Sequence, residues 1–190
     1  NNVLSTKNSN GSFKYVKPLI NCLMYFGSDG INYNWEDSGY GEENTIAFNK
    51  ALYKEAEACG FDNFHLGLYT SVSGLNSYNV NSLFGNEEGR TAHTMLNYAS
   101  SDFSYNMGSS VTAAETAMGT SEGLYAGVWI VSMNRGWSRL NQSEESKRCG
   151  LCLWGEHASS RFWSYNSGAD AYIAQTNYQA LLERGFSGGN

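Results

Sequence analysis

Charged side chains are few in this chain. Its 190 residues include 12 Lys and Arg and 18 Asp and Glu, together 16%, against about 25% in average soluble proteins. The balance is acidic, net −6 with a pI near 5.0, which argues against nucleic acid or an anionic membrane surface as the main partner. No apolar run approaches the roughly 20 residues that span a bilayer. The opening NNVLSTKNSNGS lacks a signal peptide's charged start and apolar centre, so any such segment is expected to have been removed. Histidine occurs only at 65, 93 and 157, too scattered to predict a metal site. Proline occurs once, at Pro18. The four cysteines allow three disulfide pairings, and spacing selects none of them. Cys149 and Cys152 form a C-x-x-C, but the surrounding RCGLCLWG reads as a buried strand, so these thiols are expected to be structural.

The polar load falls on neutral residues, 24 Ser and 21 Asn, alongside 13 Tyr and 5 Trp. Counted with glycine and without tyrosine, the apolar share is about 45%, enough for a packed core. Amides, hydroxyls and aromatic rings with little charge suit contact with uncharged polar ligands such as sugars.

Along the chain, VKPLINCLMYFG predicts a helix with Pro18 in its first turn and Gly27 as its stop. DGINYNW predicts a short strand. Residues 43–59 predict a helix with Ile46, Leu52 and Ala56 inward and Gly60 as its cap. FHLGLYT predicts the second strand, 87–99 a helix, and DFSYNM the third strand. Thr112-x-x-Glu115 has capping-box spacing and predicts a short helical turn. YAGVWIV and CGLCLWG predict two more strands, and 169–184 a closing helix. The alternation points to an α/β fold with a parallel sheet and crossover helices, spread over 1–190 as a single domain. Steps of about 30 residues match βαβ units. Five strands make either a small open sheet or the later part of a barrel.

Reactive groups in such folds collect at the C-terminal ends of strands. Those ends offer Asn34, Trp35 and Glu36, then Tyr69 and Thr70, then Tyr105 and Asn106, Trp129, and finally Trp154, Glu156 and His157. Asn34 and Glu36 are two apart, so on extended backbone they face the same way. A carboxylic acid beside an amide suits substrate-assisted glycoside cleavage, in which the sugar's own 2-acetamido oxygen attacks the anomeric carbon.

The run KPLINCLMYFGSDGINYNWE resembles the fourth-strand region of glycoside hydrolase family 85, the endo-β-N-acetylglucosaminidases. There a helix is followed by an aspartate-glycine pair, three residues, and N-x-E, as in Asp29-Gly30 and then Asn34-Trp35-Glu36. LYTSV, DFSYNM, YAGVWIVSMNRGW and CLWGEHASSRFW resemble later segments of that family in the same order, over about residues 15–165. The resemblance implies a (β/α)8 TIM-type barrel of which this chain covers about strands four to eight, the first three being absent. It implies Glu36 as general acid/base and Asn34 as the residue orienting the acetamido group. Trp35, Tyr69, Tyr105, Asn106, Trp154 and Glu156 become candidate sugar contacts, with no metal and no cofactor. Thr70, Ser104, Met107 and Trp129 depart from the family pattern.

The expected activity is cleavage of the GlcNAc-β1,4-GlcNAc core of N-glycans, by a secreted or cell-surface protein acting on a glycan or glycoprotein. The alternatives are a non-catalytic glycan-binding protein, or a structural subunit whose missing strands come from another chain or segment.

Overall fold

The protein is seen in a computed structural model that describes residues 2–36, 38–96, 103–129, 148–154 and 176. After a short helix α1 (Asn2–Ser5), helix α2 (Val16–Phe26) carries Pro18 in its first turn, where a missing N–H costs nothing. It buries Val16 and Ile20 on one stripe. It ends where Gly27 turns to φ 66° and Ser28 N–H reaches back to the Leu23 carbonyl at 2.9 Å, a closure that favours glycine. Helix α3 (Glu43–Ala58) ends the same way, with Gly60 at φ 70° and Phe61 N–H on the Ala56 carbonyl at 2.9 Å. Its buried stripe is Thr45, Phe48, Asn49, Leu52 and Ala56, the helical spacing of an apolar face. Ile46 is only half-buried.

Five strands form one sheet: β1 (Gly30–Asn34), β2 (His65–Tyr69), β5 (His93–Leu96), β6 (Leu124–Trp129) and β7 (Gly150–Trp154), hydrogen-bonded in that spatial order. Every neighbouring pair is parallel. Among the described residues the order never reverses, so these strands show no switch point of the doubly wound kind. Helix α3 connects β1 to β2, and helix α5 (Phe103–Met118) connects β5 to β6. A short helix α4 (Val80–Leu83) and a two-rung hairpin, β3 (Gly85–Asn86) with β4 (Gly89–Arg90), lie between β2 and β5. The core gathers Phe48, Leu52 and Ala56 from α3, Leu66 and Leu68 from β2, and Leu96 from β5. It is completed by Met107, Val111 and Ala114 from α5 and by Leu124 and Ala126 from β6. Each large apolar side chain fully buried there contributes about 1.5–3 kcal/mol. An Arg148 guanidinium fork on Glu115, at 2.8 and 3.1 Å, ties α5 to the start of β7.

The α/β class and the parallel sheet agree with the sequence pattern, while two elements differ. Of the helix predicted over 87–99, the described residues 87–96 are instead the β3–β4 turn, β4 and strand β5, and 97–99 lie outside the described residues. In β5, Thr94, Met95 and Leu96 are all buried, as suits a strand flanked by neighbours on both edges, and β-branched residues such as Thr94 favour a strand. Of the strand predicted at 102–107, the described residues 103–107 open helix α5, so Tyr105 and Asn106 lie on a helix rather than at a strand end. The F-S-Y-N-M alternation imitates a strand. The buried residues Met107, Ser110, Val111 and Ala114 recur every three to four positions and fix the helix. Thr112, read as a cap, sits inside that helix with its hydroxyl donating to the Gly108 carbonyl at 3.0 Å. The closing helix predicted over 169–184, together with Glu156 and His157, lies outside the described residues apart from Thr176.

Phe48 is 0% exposed and Tyr25 is 84% exposed. Phe48→Ala is expected to lower unfolding stability by about 3–5 kcal/mol, and Tyr25→Ala by less than about 0.5 kcal/mol. Urea midpoints read the contrast.

Candidate functional site

Period-two alternation divides the sheet's side chains. One face carries Ile31, Tyr33, Leu66, Leu68, Leu96, Leu124 and Ala126 into the core or against it. The other face therefore receives Asn32, Asn34, His65, Gly67, Tyr69, His93, Met95 and Tyr125. Register puts Asn34 beside Tyr69 and Tyr69 beside Met95. Asn32 lies level with Gly67, where a Cβ would stand 2.5 Å from the Asn32 Oδ1. Asn32 and Asn34 are exposed, whereas Tyr69 is 6% exposed.

Asn34 and Tyr69 are registered neighbours at the C-terminal ends of β1 and β2, and Glu36 follows two residues past β1. Trp35 N–H donates to the Tyr69 carbonyl at 2.9 Å, which extends the ladder one residue past β1. The Trp35 ring stacks edge-on against Tyr33 at 6.1 Å and packs against the core. Trp35 is thus on the core side, and Glu36, two residues past the end of β1, is exposed. Thr70 is buried, with its hydroxyl accepting from Val72 N–H at 3.1 Å. Met107 is buried in the core with the Cys149 Sγ at 3.5 Å from its sulfur. Trp129 and Trp154, by their backbone, end β6 and β7 as registered partners.

A second polar cluster, which the sequence pattern did not single out, lies at the opposite end of the strands. The His65 and His93 rings stack at 4.1 Å and 19°, and the Tyr53 hydroxyl lies 2.8 Å from His93 Nδ1. Tyr125 meets His65 edge-on at 6.3 Å. Arg90 lies over the Phe84 ring and donates from Nη2 to the Glu122 carbonyl at 2.8 Å. Its Nη1 is buried without a protein partner among the described residues. Burial, then the neighbouring His65 and Arg90 charges, push the His93 pKa down to about 3. Burial and Arg90 lower that of His65, and burial raises that of the Tyr53 phenol. The spacing of His65 and His93, on strands 28 residues apart, gave no local signal of their pairing.

No disulfide joins the four cysteines. Cys149 packs against the core, and three residues further along extended backbone Cys152 projects to the opposite face. Burial raises both thiol pKa values, so neither is activated as a thiolate. Among the described residues no three His, Cys, Asp or Glu side chains converge on a cation position, and no helix is long and apolar enough to cross a membrane. A cavity of about 400 Å³ lies between the second half of α3 and β4, lined by Lys50, Tyr53, Phe64 and Arg90 among others. Another of about 650 Å³ lies beside α2, lined by Lys14, Lys17, Asn21 and Lys54 among others. Neither is lined by Asn34 or Glu36, both of which are exposed. No protein-family model matches this chain, and comparison with curated proteins and with solved structures also finds no match.

The depressed His93 pKa sets a pH dependence. Above its ordinary 6.5 the imidazole is neutral in both states and stability is fully present. Below that value the unfolded chain takes up a proton that the folded chain refuses, so stability falls progressively toward pH 3. One such proton costs at most about 1.4 kcal/mol per pH unit, less here because the ring is only partly buried. Urea unfolding is expected to weaken from pH 6.5 to 5, and His93→Gln is expected to flatten that slope. An unchanged slope in the variant overturns the assignment.

Proposed function

We propose that the C-terminal end of β1 is a saccharide site, and that the chain is a secreted or cell-surface glycoside hydrolase of endo-β-N-acetylglucosaminidase type. The observation that carries this reading is the exposed Asn34 at the end of a parallel strand, level with Tyr69, followed two residues on by the exposed Glu36 just past that strand. An amide and a carboxyl two residues apart can serve the two ends of a 2-acetamido sugar.

In the chemistry, the Glu36 carboxylic acid protonates the departing glycosidic oxygen. The acetamido oxygen attacks the anomeric carbon, the glycosidic bond breaks, and an oxazoline forms. Asn34 orients the acetamido group through its carboxamide. The Glu36 carboxylate then takes a proton from water, which opens the oxazoline with overall retention. The bond cut is GlcNAc-β1,4-GlcNAc in an N-glycan core.

A strand order that never reverses suits a (β/α)8 barrel, since right-handed crossovers then keep the helices on one side. Active sites of such barrels sit at the strands' C-terminal ends, where Asn34 and Glu36 lie. β1 is the sheet's outer strand among the described residues, and it bears neither charge nor proline, the usual devices that blunt an edge. Further strands, from this protein or another chain, would pair there. Trp154, Tyr105, Asn106 and Glu156 remain the candidate sugar contacts beside Tyr69. The second reading, a glycan-binding protein without turnover, is favoured by the buried Thr70, whose hydroxyl is engaged by its own loop.

Incubation with a high-mannose glycopeptide is expected to leave a peptide bearing one GlcNAc, read by mass spectrometry. Glu36→Gln is expected to lower the rate by about 10²–10⁴-fold. Asn34→Gln is expected to impair cleavage while sparing the use of a supplied oxazoline. Micromolar glycan binding with no product would favour the second reading, and equal loss of both reactions in Asn34→Gln would sink the role given to that residue.

A further inference from the structure

The loop between Lys7 and Phe13 is closed by a β-bridge between those two residues, and its Phe13 ring packs edge-on against the core residue Phe48 at 5.4 Å. Its tip is Asn10-Gly11-Ser12, all three exposed. This triplet has the asparagine, non-proline residue and hydroxyl of the N-glycosylation acceptor. Asn10 Oδ1 accepts from Ser12 N–H at 3.1 Å and from the Ser12 hydroxyl at 2.7 Å. The carboxamide oxygen is therefore turned inward to the hydroxyl residue, which leaves the Nδ2 side of the group toward solvent. Asn8 holds the turn, with its Nδ2 donating to Ser12 Oγ at 2.9 Å and its carbonyl accepting from Gly11 N–H at 2.9 Å. Every one of these bonds spans four residues or fewer, so the turn can form before the domain folds.

We propose that Asn10 is an N-glycosylation site of this protein, with a polyprenyl-diphosphate-linked oligosaccharide as the co-reactant. In the transfer, Asn10 Nδ2 forms a bond to the sugar's anomeric carbon while the carbon–oxygen bond to the diphosphate breaks. The polyprenyl diphosphate leaves with that electron pair, and one amide proton is lost to base. The Ser12 hydroxyl on Asn10 Oδ1 polarises the carboxamide, and Gly11, at φ 82°, permits a turn that a side chain there would strain. A glycan projecting from this tip meets solvent rather than packed surface. The inference rests on the secretory location contained in the proposed function, but not on the chemistry assigned to Glu36.

The test is translation of the full chain behind a cleavable signal peptide into microsomes, with translocation verified by protease protection. The sequence holds a second acceptor triplet at Asn141-Gln142-Ser143, so the readout is mass spectrometry of the Asn10 peptide. The peptide is expected to carry hexosamine in most translocated chains and to lose it entirely in Asn10→Gln and Ser12→Ala. Ser12→Thr keeps the hydroxyl and is expected to keep the glycan. A translocated chain with a bare Asn10 overturns the site and leaves the reading of Glu36 untouched. A glycan that stays full length on wild type and Glu36→Gln alike supports the site while counting against the hydrolase reading. Trimming to one GlcNAc in wild type alone supports both.

Discussion

Alternation along β-strands sets the character of both faces of the sheet. Once Leu66, Leu68, Leu96, Leu124 and Ala126 are committed to the helices, every intervening residue must face the other way. Parallel sheets are commonly apolar on both sides because both are covered. This one is apolar on one side and mixed on the other, where Asn32, Asn34, His65, His93 and Tyr125 stand with the buried Tyr69 and Met95. A one-residue slip of β1 would send Ile31 and Tyr33 out and both asparagines into the core, leaving carboxamides desolvated without partners. The core therefore holds the candidate site in register without touching it.

The polar face is not uniform. Toward the strands' N-terminal ends it closes on itself, with His65 stacked on His93, Tyr53 bonded to the His93 ring, and Arg90 held by Phe84 and the Glu122 carbonyl. Burial there favours the neutral imidazoles, as befits the end of an α/β sheet where groups serve stability. Toward the C-terminal ends, Asn34 and Glu36 stand exposed beside a largely buried Tyr69.

Most of the architecture was legible from residue order. Helix stops at Gly27 and Gly60, the stripe containing Leu52 and Ala56, and the strands around 31, 66, 126 and 152 follow from local periodicity and backbone preference. The misreading between 87 and 107 has a physical cause. Short apolar runs satisfy both periods, and the choice between them depends on which neighbours bury them. Thr94 and Leu96 became strand because β2 and β6 flank them. Met107, Val111 and Ala114 became helix because the core lies along one stripe of theirs. The displacement of Tyr105 and Asn106 from a strand end follows from that same decision.

Of the candidate site, the sequence by itself set the two-residue spacing of Asn34, at the end of β1, and Glu36, just past it. It also determined the Asn10-Gly11-Ser12 turn, whose bonds are all within five residues. Only the tertiary structure decided that Trp35 turns to the core, that Tyr69 stands beside Asn34, and that His65 meets His93. Those relations depend on which strands become neighbours and in what register, and that is set by burying apolar side chains from residues far apart in the chain.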